Sequence, residues 1–233
     1  MYGGLYAEVR LGTRRVEEMN KENVNPNLGV RLVTGNNEVE EEGKKRPAVD
    51  PQKVSVYARE ISDYLWEREA GPIGDWTEVQ EGLTAGMREL LIDWMADLSV
   101  HFSLTSETLF ISVNCLDRFL MKETLDRSKL QLLGMASIFV ASKYEEVHPP
   151  TIDKILATAG EAYTTKDLLD MEGRLLEVLN FQLTYPTILR FLFRYAGLLS
   201  VNTKTLMFSR FLAELSLTSS KLNKFRNSTI AAG

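Results

Sequence analysis

Histidine, cysteine and motif-bound serine are the residues whose spacing most often carries chemistry, and this chain of 233 residues offers few of them. Its two histidines and single cysteine, His101, His148 and Cys115, lack the spacing typical of a metal site. The sequence also lacks a glycine-rich phosphate-binding loop and the G-x-S-x-G motif that presents a nucleophilic serine. It therefore predicts no metal site and no cofactor, and it gives no positive reason to interpret the protein as an enzyme.

The composition excludes several other classes of protein. The chain is 44% hydrophobic and 25% charged, which is typical of soluble globular proteins. No apolar run approaches the ~18 residues of a membrane span, and the N-terminus MYGGLYAEVR lacks the pattern of a secretory signal. We therefore expect no membrane association, and the single cysteine indicates a reducing compartment. A net charge of −5 argues against a general nucleic-acid binder.

The elements that must position any functional residues begin after an N-terminal arm. In residues 1–49, Asn, Glu and Gly dominate and apolar residues have no period, which predicts a disordered regulatory arm. Residues 54–69 instead place four apolar residues at helical spacing, namely Val54, Tyr57, Ile61 and Leu65. Gly71 and Pro72 then end this helix. We therefore assign residues 50–83 to an N-terminal helix and its linker.

From residue 84 onward, apolar periodicity predicts a bundle of helices. Segment 106–120 is apolar on nearly all sides, so we expect it at the centre of the bundle. In segment 128–144, Ser128-Lys-Leu-Gln131 has the pattern of a capping box, and small residues would let neighbouring helices approach closely. Further helices are predicted at 84–98, 151–158, 165–179, 187–199 and 203–217, with Thr165 capping the third of these. No long stretch alternates as a strand does, so the predicted class is all-α.

Three stretches carry a specific resemblance. The strings MRELLIDWMADLSVHFSLTSETLFISVNCLDRFL, KLQLLGMASIFVASKYEEVHPP and MEGRLLEVLNFQLTYPTILRFL resemble the cyclin box of A- and B-type mitotic cyclins. The resemblance implies a cyclin fold, with the N-terminal helix, a complete five-helix first cyclin box at 84–185 and an incomplete second box at 186–233. It also implies a regulatory subunit, found in nucleus and cytoplasm, that binds and activates a cyclin-dependent kinase to drive cell-cycle progression at G2/M or S/G2.

The resemblance assigns kinase contacts to seven residues: Tyr57, Ile61, Lys143, Tyr144, Glu172, Leu176 and Phe181. Lys143 and Glu172 match the family's kinase-contacting lysine and glutamate. Taken alone, each is typical of an ordinary surface charge. The surrounding strings ASKYEE and LDMEGRLLEVLNF favour the kinase interface instead. Tyr144 replaces the commoner Phe, and Gly173 stands where relatives often carry a larger residue, which predicts a smaller contact there.

The segment MRELLIDWM, residues 87–95, could bury its apolar face in the core or leave part of it open to a ligand. By the resemblance, a shallow groove for Arg-x-Leu peptides of substrates and inhibitors is formed by Met87, Leu90, Leu91, Trp94 and Gln131. Asp97 would receive the arginine, where the family usually has Glu, so the shorter side chain predicts weaker capture. Leu91 could equally belong to the core. We expect one stripe of the helix to pack and an adjacent stripe to bind peptides.

Two further assignments come from the resemblance. Arg88 and Asp117 match the family's internal ion pair, to which we assign a structural role between two helices of the first box. In the arm, Lys21, Glu22 and Asn23 form a KEN string followed by Pro26, which resembles destruction signals read by the anaphase-promoting complex. Such short strings also arise by chance. The basic cluster at 44–47 could direct nuclear import, although a solvated charge cluster in a linker is the preferred interpretation.

The incomplete second box leaves alternatives open. About two helices cannot close a five-helix core, so we expect partly exposed apolar side chains at Phe191, Leu192, Phe208, Phe211 and Leu212. One alternative is therefore a truncated form that binds the kinase without full activation.

A separate alternative is a cyclin-fold transcription factor, which would need basic helices facing phosphates. The string LNFQLTYPTILRFL favours a B-type cyclin, whereas HPP after YEE favours the A-type, so the subtype stays open.

Overall fold

The computed structural model describes residues 57–69, 71–160, 162–199 and 201–233. The arm at 1–49, its KEN string, the basic cluster at 44–47 and the start of the predicted N-terminal helix lie outside the described residues. Within them every regular element is a helix and no strand occurs, which confirms the all-α class. None of these helices combines the length and apolar character that crossing a membrane requires.

Nine α-helices form the described part of the chain: α1 (Ala58–Arg68), α2 (Ala85–His101), α3 (Ser106–Leu120), α4 (Leu130–Glu145), α5 (Ile152–Ala157), α6 (Thr165–Val178), α7 (Ile188–Leu198), α8 (Thr203–Ser216) and α9 (Asn227–Ala232). Short 3₁₀ turns lie at Trp76–Glu78, Arg127–Lys129 and Ser220–Lys224. Helices α2 to α6 correspond to the five helices predicted for the first box, whereas α9 was not predicted.

Helix α3 lies at the centre of the first box, as its apolar sequence predicted. It is buried on nearly all sides and packs against α2, α4, α6 and α7. Helix α4 is also buried over most of its length, and Gly134 lets α2 approach it closely. A Cβ atom added at Gly134 would lie 2.8 Å from the Leu91 Cδ1 atom, so Leu91 occupies the space that a side chain would need.

Two predicted helix starts are wrong in detail. Ser128 does not cap α4, because its hydroxyl instead donates a 2.5 Å hydrogen bond to Oδ1 of Asp126 and closes a 3₁₀ turn. The aspartate two residues earlier competes successfully for the serine, as Asx turns do. Helix α6 is capped by Thr164 rather than Thr165. The Thr164 Oγ1 atom accepts from the Asp167 amide at 3.2 Å, and Asp167 Oδ2 accepts from the Thr164 amide at 2.9 Å.

The second box begins with α7 and α8, and α9 packs against α7. Phe191 and Leu192 are buried, so the expectation that they would be exposed is wrong. Phe191 is covered from a distant part of the chain, since its ring centroid lies 5.1 Å from that of Trp66 on α1. Phe208 and Leu212 on α8 are exposed, as expected, and Phe211 is half-buried.

Candidate functional site

The structure brings Lys143 and Glu172 together. Lys143 lies in the last turn of α4, where the helix leaves the core, and Glu172 lies on the neighbouring helix α6. The Lys143 Nζ atom donates to Glu172 Oε1 and lies 4.1 Å from the centroid of the Phe139 ring. Glu172 is mostly buried whereas Lys143 is half-exposed, so the ammonium group retains access to a partner.

Tyr144 and Leu176 extend the same surface. Tyr144 is half-exposed, and its hydroxyl forms a 2.7 Å hydrogen bond with Oγ1 of Thr184, which ties the end of α4 to the segment after α6. Leu176 follows Glu172 by one turn on α6 and packs partly buried against the core. Gly173 between them is exposed, and a Cβ atom there would meet nothing within 4 Å. A Cβ atom would therefore fit at this position without any rearrangement.

Phe181 is presented to solvent by an unusual backbone. Its side chain is 68% exposed, and both Asn180 (φ 52°) and Phe181 (φ 55°) adopt the left-handed conformation. That conformation is unfavourable for a bulky residue by roughly 1–2 kcal/mol. Strained residues of this kind persist where surrounding contacts hold them, and they cluster at functional sites.

Two cations on and after α3 hold the turn that carries Phe181. Arg118 Nη1 donates to the Gln182 carbonyl at 2.7 Å, and Lys122 Nζ donates to the Val178 carbonyl at 3.1 Å. The Phe181 amide itself donates to the Leu176 carbonyl at 2.9 Å. Sequence reasoning missed Arg118 and Lys122, because a side chain that donates to a distant backbone carbonyl leaves no motif.

Helix α1 carries the remaining predicted kinase contacts on an open face. Tyr57 and Ile61 are exposed, and so are Tyr64 and Trp66, which sequence reasoning did not assign to a site. The Tyr64 hydroxyl accepts a 3.0 Å hydrogen bond from Arg68 Nε. A helix with so much exposed aromatic and aliphatic surface is suited to contact another molecule.

The predicted peptide groove divides between core and surface. Leu91 is buried and packs over Gly134, whereas the neighbouring Leu90 is 73% exposed. Met87 and Trp94 are half-buried and pack against the core. The remaining two residues are the half-buried Gln131 on α4 and the exposed Asp97 on α2. One stripe of α2 therefore packs inward and an adjacent stripe faces solvent.

Arg88 and Asp117 form a fully buried bidentate ion pair. The Nε and Nη2 atoms of Arg88 each donate to one Asp117 carboxylate oxygen at 2.6 Å, and the two side chains are only 1% and 2% exposed. The remaining nitrogen, Nη1, donates to the carbonyls of Leu217 and Thr218 at 3.0 and 3.1 Å. The pair thus links α2, α3 and the C-terminal end of α8, and this third connection was not expected from the sequence.

Comparison with known proteins decides the family. The family model described as "Cyclin, N-terminal domain" matches residues 60–184, and "Cyclin, C-terminal domain" matches residues 186–233. The chain belongs to the cyclin family. This cyclin is 42% identical to cyclin-A1 of Mus musculus over 170 residues, which cover 72% of this chain and 40% of that protein. It is 41% identical to G2/mitotic-specific cyclin-B3 of Drosophila melanogaster over 184 residues, or 78% of this chain and 32% of that protein.

The mitotic resemblance and the cyclin fold are confirmed, with relatives of A and B type at nearly equal identity. The cyclin spans about 40% of the length of the cyclin-A1 proteins that it matches. Among solved structures, a viral cyclin from herpesvirus saimiri matches with a TM-score of 0.64 and 24% identity, covering 74% of this chain and 78% of that one. This last likeness shows the fold.

Groups that could carry chemistry are sparse in the described part of this cyclin. No cluster of three or more His, Cys, Asp or Glu side chains suited to a metal ion occurs there. Cys115 is buried in α3, and burial raises the pKa of its thiol to about 12. A thiol in that environment is unreactive.

Proposed function

We propose that this cyclin is a non-catalytic regulatory subunit that binds and activates a cyclin-dependent kinase and so drives cell-cycle progression. The observation that carries the proposal is the surface shared by the ends of α4 and α6. There the Lys143–Glu172 pair lies beside exposed aromatic side chains at Tyr144 and Phe181. Charge that is already oriented next to exposed apolar area is the combination expected of a specific protein interface.

The proposed mechanism is a shift between two conformations of the kinase. A kinase exchanges between inactive and active arrangements, and a subunit that binds the active one better increases its population. Lys143 retains donors for backbone carbonyls of the partner, while Phe181, held in place by Arg118, supplies apolar area. Helix α1 would add a second area of contact through Tyr57 and Ile61. The kinase supplies all of the phosphoryl-transfer chemistry.

The direct test is to mix this chain with a purified monomeric cyclin-dependent kinase, and to measure histone phosphorylation and binding in parallel. We expect binding together with an increase in activity of at least about tenfold. Binding without activation would favour the alternative of a non-activating form. No binding, when circular dichroism shows a folded helical chain, would overturn the proposal.

We also propose that the solvent-facing stripe of α2 recruits Arg-x-Leu substrates, which raises their concentration near the kinase. Replacement of Trp94 by Ala should leave phosphorylation of a short peptide without the motif unchanged. It should raise the KM of an Arg-x-Leu substrate by about tenfold or more, since a central tryptophan is typically worth at least ~2 kcal/mol in such interfaces. Steady-state kinetics on the two substrates is the measurement.

A control variant and a second groove variant make this test specific. Val100→Ala removes an exposed aliphatic side chain from the same helix and should leave the KM of both substrates unchanged. Leu90→Ala removes a more exposed aliphatic side chain inside the groove and should raise the KM of the Arg-x-Leu substrate only. An equal loss of kcat/KM on both substrates in the Trp94 variant would contradict the docking assignment.

Two further elements of the proposal depend on residues 1–49. We propose that the KEN string at Lys21, Glu22 and Asn23 engages the anaphase-promoting complex, which would limit the lifetime of the protein. We also propose that the protein is distributed between nucleus and cytoplasm, where its kinase partner and substrates would be found. Family membership supports the first of these, since mitotic cyclins are expected to be removed at the end of the phase that they drive.

A further inference from the structure

Glu69, the residue after α1, is a buried carboxylate with two partners on one distant residue. Its side chain is 5% exposed, in contrast to the exposed Glu67 and Arg68 before it. The backbone N–H of Ser228 donates to Glu69 Oε1 at 2.7 Å, and the Ser228 hydroxyl donates to Oε2 at 2.7 Å. Ser228 lies 159 residues later, in α9. The contact therefore joins the N-terminal helix to the last helix of the described chain.

Helix α1 has few other anchors. Ser62 and Glu69 are the only buried residues in 57–69 among those whose side chains are described. No side chain caps its start at Tyr57, and at 11 residues it is too short to be stable as an isolated helix. The contact of Trp66 with Phe191, at 5.1 Å between ring centroids, adds some apolar packing. Among the described residues, the position of α1 therefore rests on Ser62, on the packing of Trp66 and on Glu69 at its C-terminal end.

The start of α9 lacks a capping side chain of its own. The first N–H groups of a helix lack partners within the helix, and a side chain at the N-cap usually supplies one. The N-cap of α9 is Arg226, which makes no such hydrogen bond. Glu69 supplies the acceptor instead, and a carboxylate is favoured at this end of a helix dipole. The buried carboxylate of Glu69 thus gains two donors, and the start of α9 gains the acceptor that it lacks.

Additional contacts fasten the linker after Glu69 to the same region. The Tyr185 hydroxyl donates to the Gly71 carbonyl at 2.8 Å, and the Gly74 amide donates to the Asn223 carbonyl at 3.0 Å. Lys224 forms an ion pair with Asp75 at 2.9 Å. Burial of Tyr185, together with the nearby charge of Glu69, raises the pKa of the Tyr185 phenol. The linker after Glu69 is therefore attached to the second box through Asn223 and Lys224, and to the end of the first box through Tyr185.

We infer that Glu69 is a positioning residue, which fixes the kinase-binding helix α1 by holding Ser228 of the second box. The start of the second box then has a role beyond its own core, because it sets the position of Tyr57 and Ile61. The part of this inference that concerns kinase affinity rests on the proposed function. The part that concerns the coupling between α1 and α9 does not.

The first measurement is amide hydrogen exchange of the whole chain, for the parent and for Glu69→Ala, Ser228→Ala and Ser228→Thr. We expect Glu69→Ala to reduce protection of residues 59–69 by about tenfold or more, and Ser228→Ala to reduce it by less, because one of the two hydrogen bonds remains. Ser228→Thr retains both donors and should restore protection. Glu67→Gln, a matched change at an exposed glutamate of α1, should have no effect.

The exchange data can overturn the inference in two ways. Protection of residues 59–69 that stays within about twofold of the parent in Glu69→Ala would mean that Glu69 does not position the helix. An equal loss of protection in α3 would mean that Glu69 supports the whole fold instead of α1. Both outcomes are readable whether or not the chain binds a kinase.

The second measurement is kinase affinity in a double-mutant cycle. Glu69→Ala should weaken binding by about tenfold in the parent but have little effect in a Tyr57→Ala, Ile61→Ala background, because the contacts that it positions are already absent. Full additivity of the two changes would show that Glu69 acts independently of α1 and would overturn the inference. A parent chain that binds no kinase would contradict the proposed function, and the exchange result would still decide the coupling.

Discussion

Replacing Lys143 and Glu172 together by alanine is expected to weaken binding to the kinase by at least about 30-fold. The two side chains contact each other across α4 and α6, with Glu172 mostly buried and Lys143 half-exposed. Truncating a side chain that is an energetic hot spot of an interface typically costs about 2 kcal/mol or more in binding free energy. A loss of that size weakens binding by at least about 30-fold, since each 1.4 kcal/mol is a factor of ten. Titration calorimetry with the purified kinase measures it.

The double variant is preferable to either single one. Removing Lys143 alone leaves the mostly buried carboxylate of Glu172 without its cation, which would destabilise the chain itself. A matched control is Arg174→Ala with Glu123→Ala, which removes another contacting charge pair of intermediate exposure, with Arg174 on α6. The control should bind the kinase as the parent does. Unchanged affinity in the Lys143, Glu172 variant would contradict the interface assignment.

Arg88→Ala is expected to have the largest effect on stability. The change leaves Asp117 buried without a counter-charge, and it removes the donor to the carbonyls of Leu217 and Thr218. Breaking a buried ion pair from one side typically costs about 3–5 kcal/mol in the free energy of unfolding. Domains of this size are stable by only about 5–15 kcal/mol, so a large part of the total would be lost. Urea unfolding followed by circular dichroism measures the change.

An exposed pair provides the comparison for Arg88. Arg59 and Asp63 on α1 are 3.9 Å apart and both largely solvent-exposed, so Asp63→Ala should change stability little. Hydrogen exchange should also report loss of protection at the C-terminal end of α8 in the Arg88 variant, because that end receives two of its hydrogen bonds. A loss of less than about 1 kcal/mol in the unfolding free energy would show that the buried pair is dispensable.

Much of the fold follows from the sequence, because apolar periodicity reports which face of each helix is buried. The five helices of the first box and the central position of α3 were predicted in this way. The starts of α4 and α6 were predicted less well, since a cap is decided by competition between neighbouring polar side chains. Asp126 takes Ser128 from its expected role, and Thr164 rather than Thr165 caps α6.

The burial of Phe191 could not be predicted for a different reason. Its ring lies against that of Trp66 on α1, and the helix that carries it, α7, packs against α9, which has only six residues and too little periodicity to be recognised. In the candidate site, too, some residues could be found from the sequence and others could not. Family resemblance located Lys143, Glu172 and Phe181, but the residues that support them act through contacts between distant segments. Arg118 donates to a backbone carbonyl 64 residues away, and Glu69 reaches Ser228 across 159 residues. Such contacts have no local pattern.

The buried thiol of Cys115 can serve as a natural probe of local opening in the first box. It is the single cysteine in the sequence, and it lies in α3, where burial suppresses its ionisation. An alkylating reagent can therefore react only in those moments when α3 becomes accessible. The rate of labelling would then give the free energy of that opening without any engineered probe, and it would separate variants that loosen the core from those that disturb only the surface.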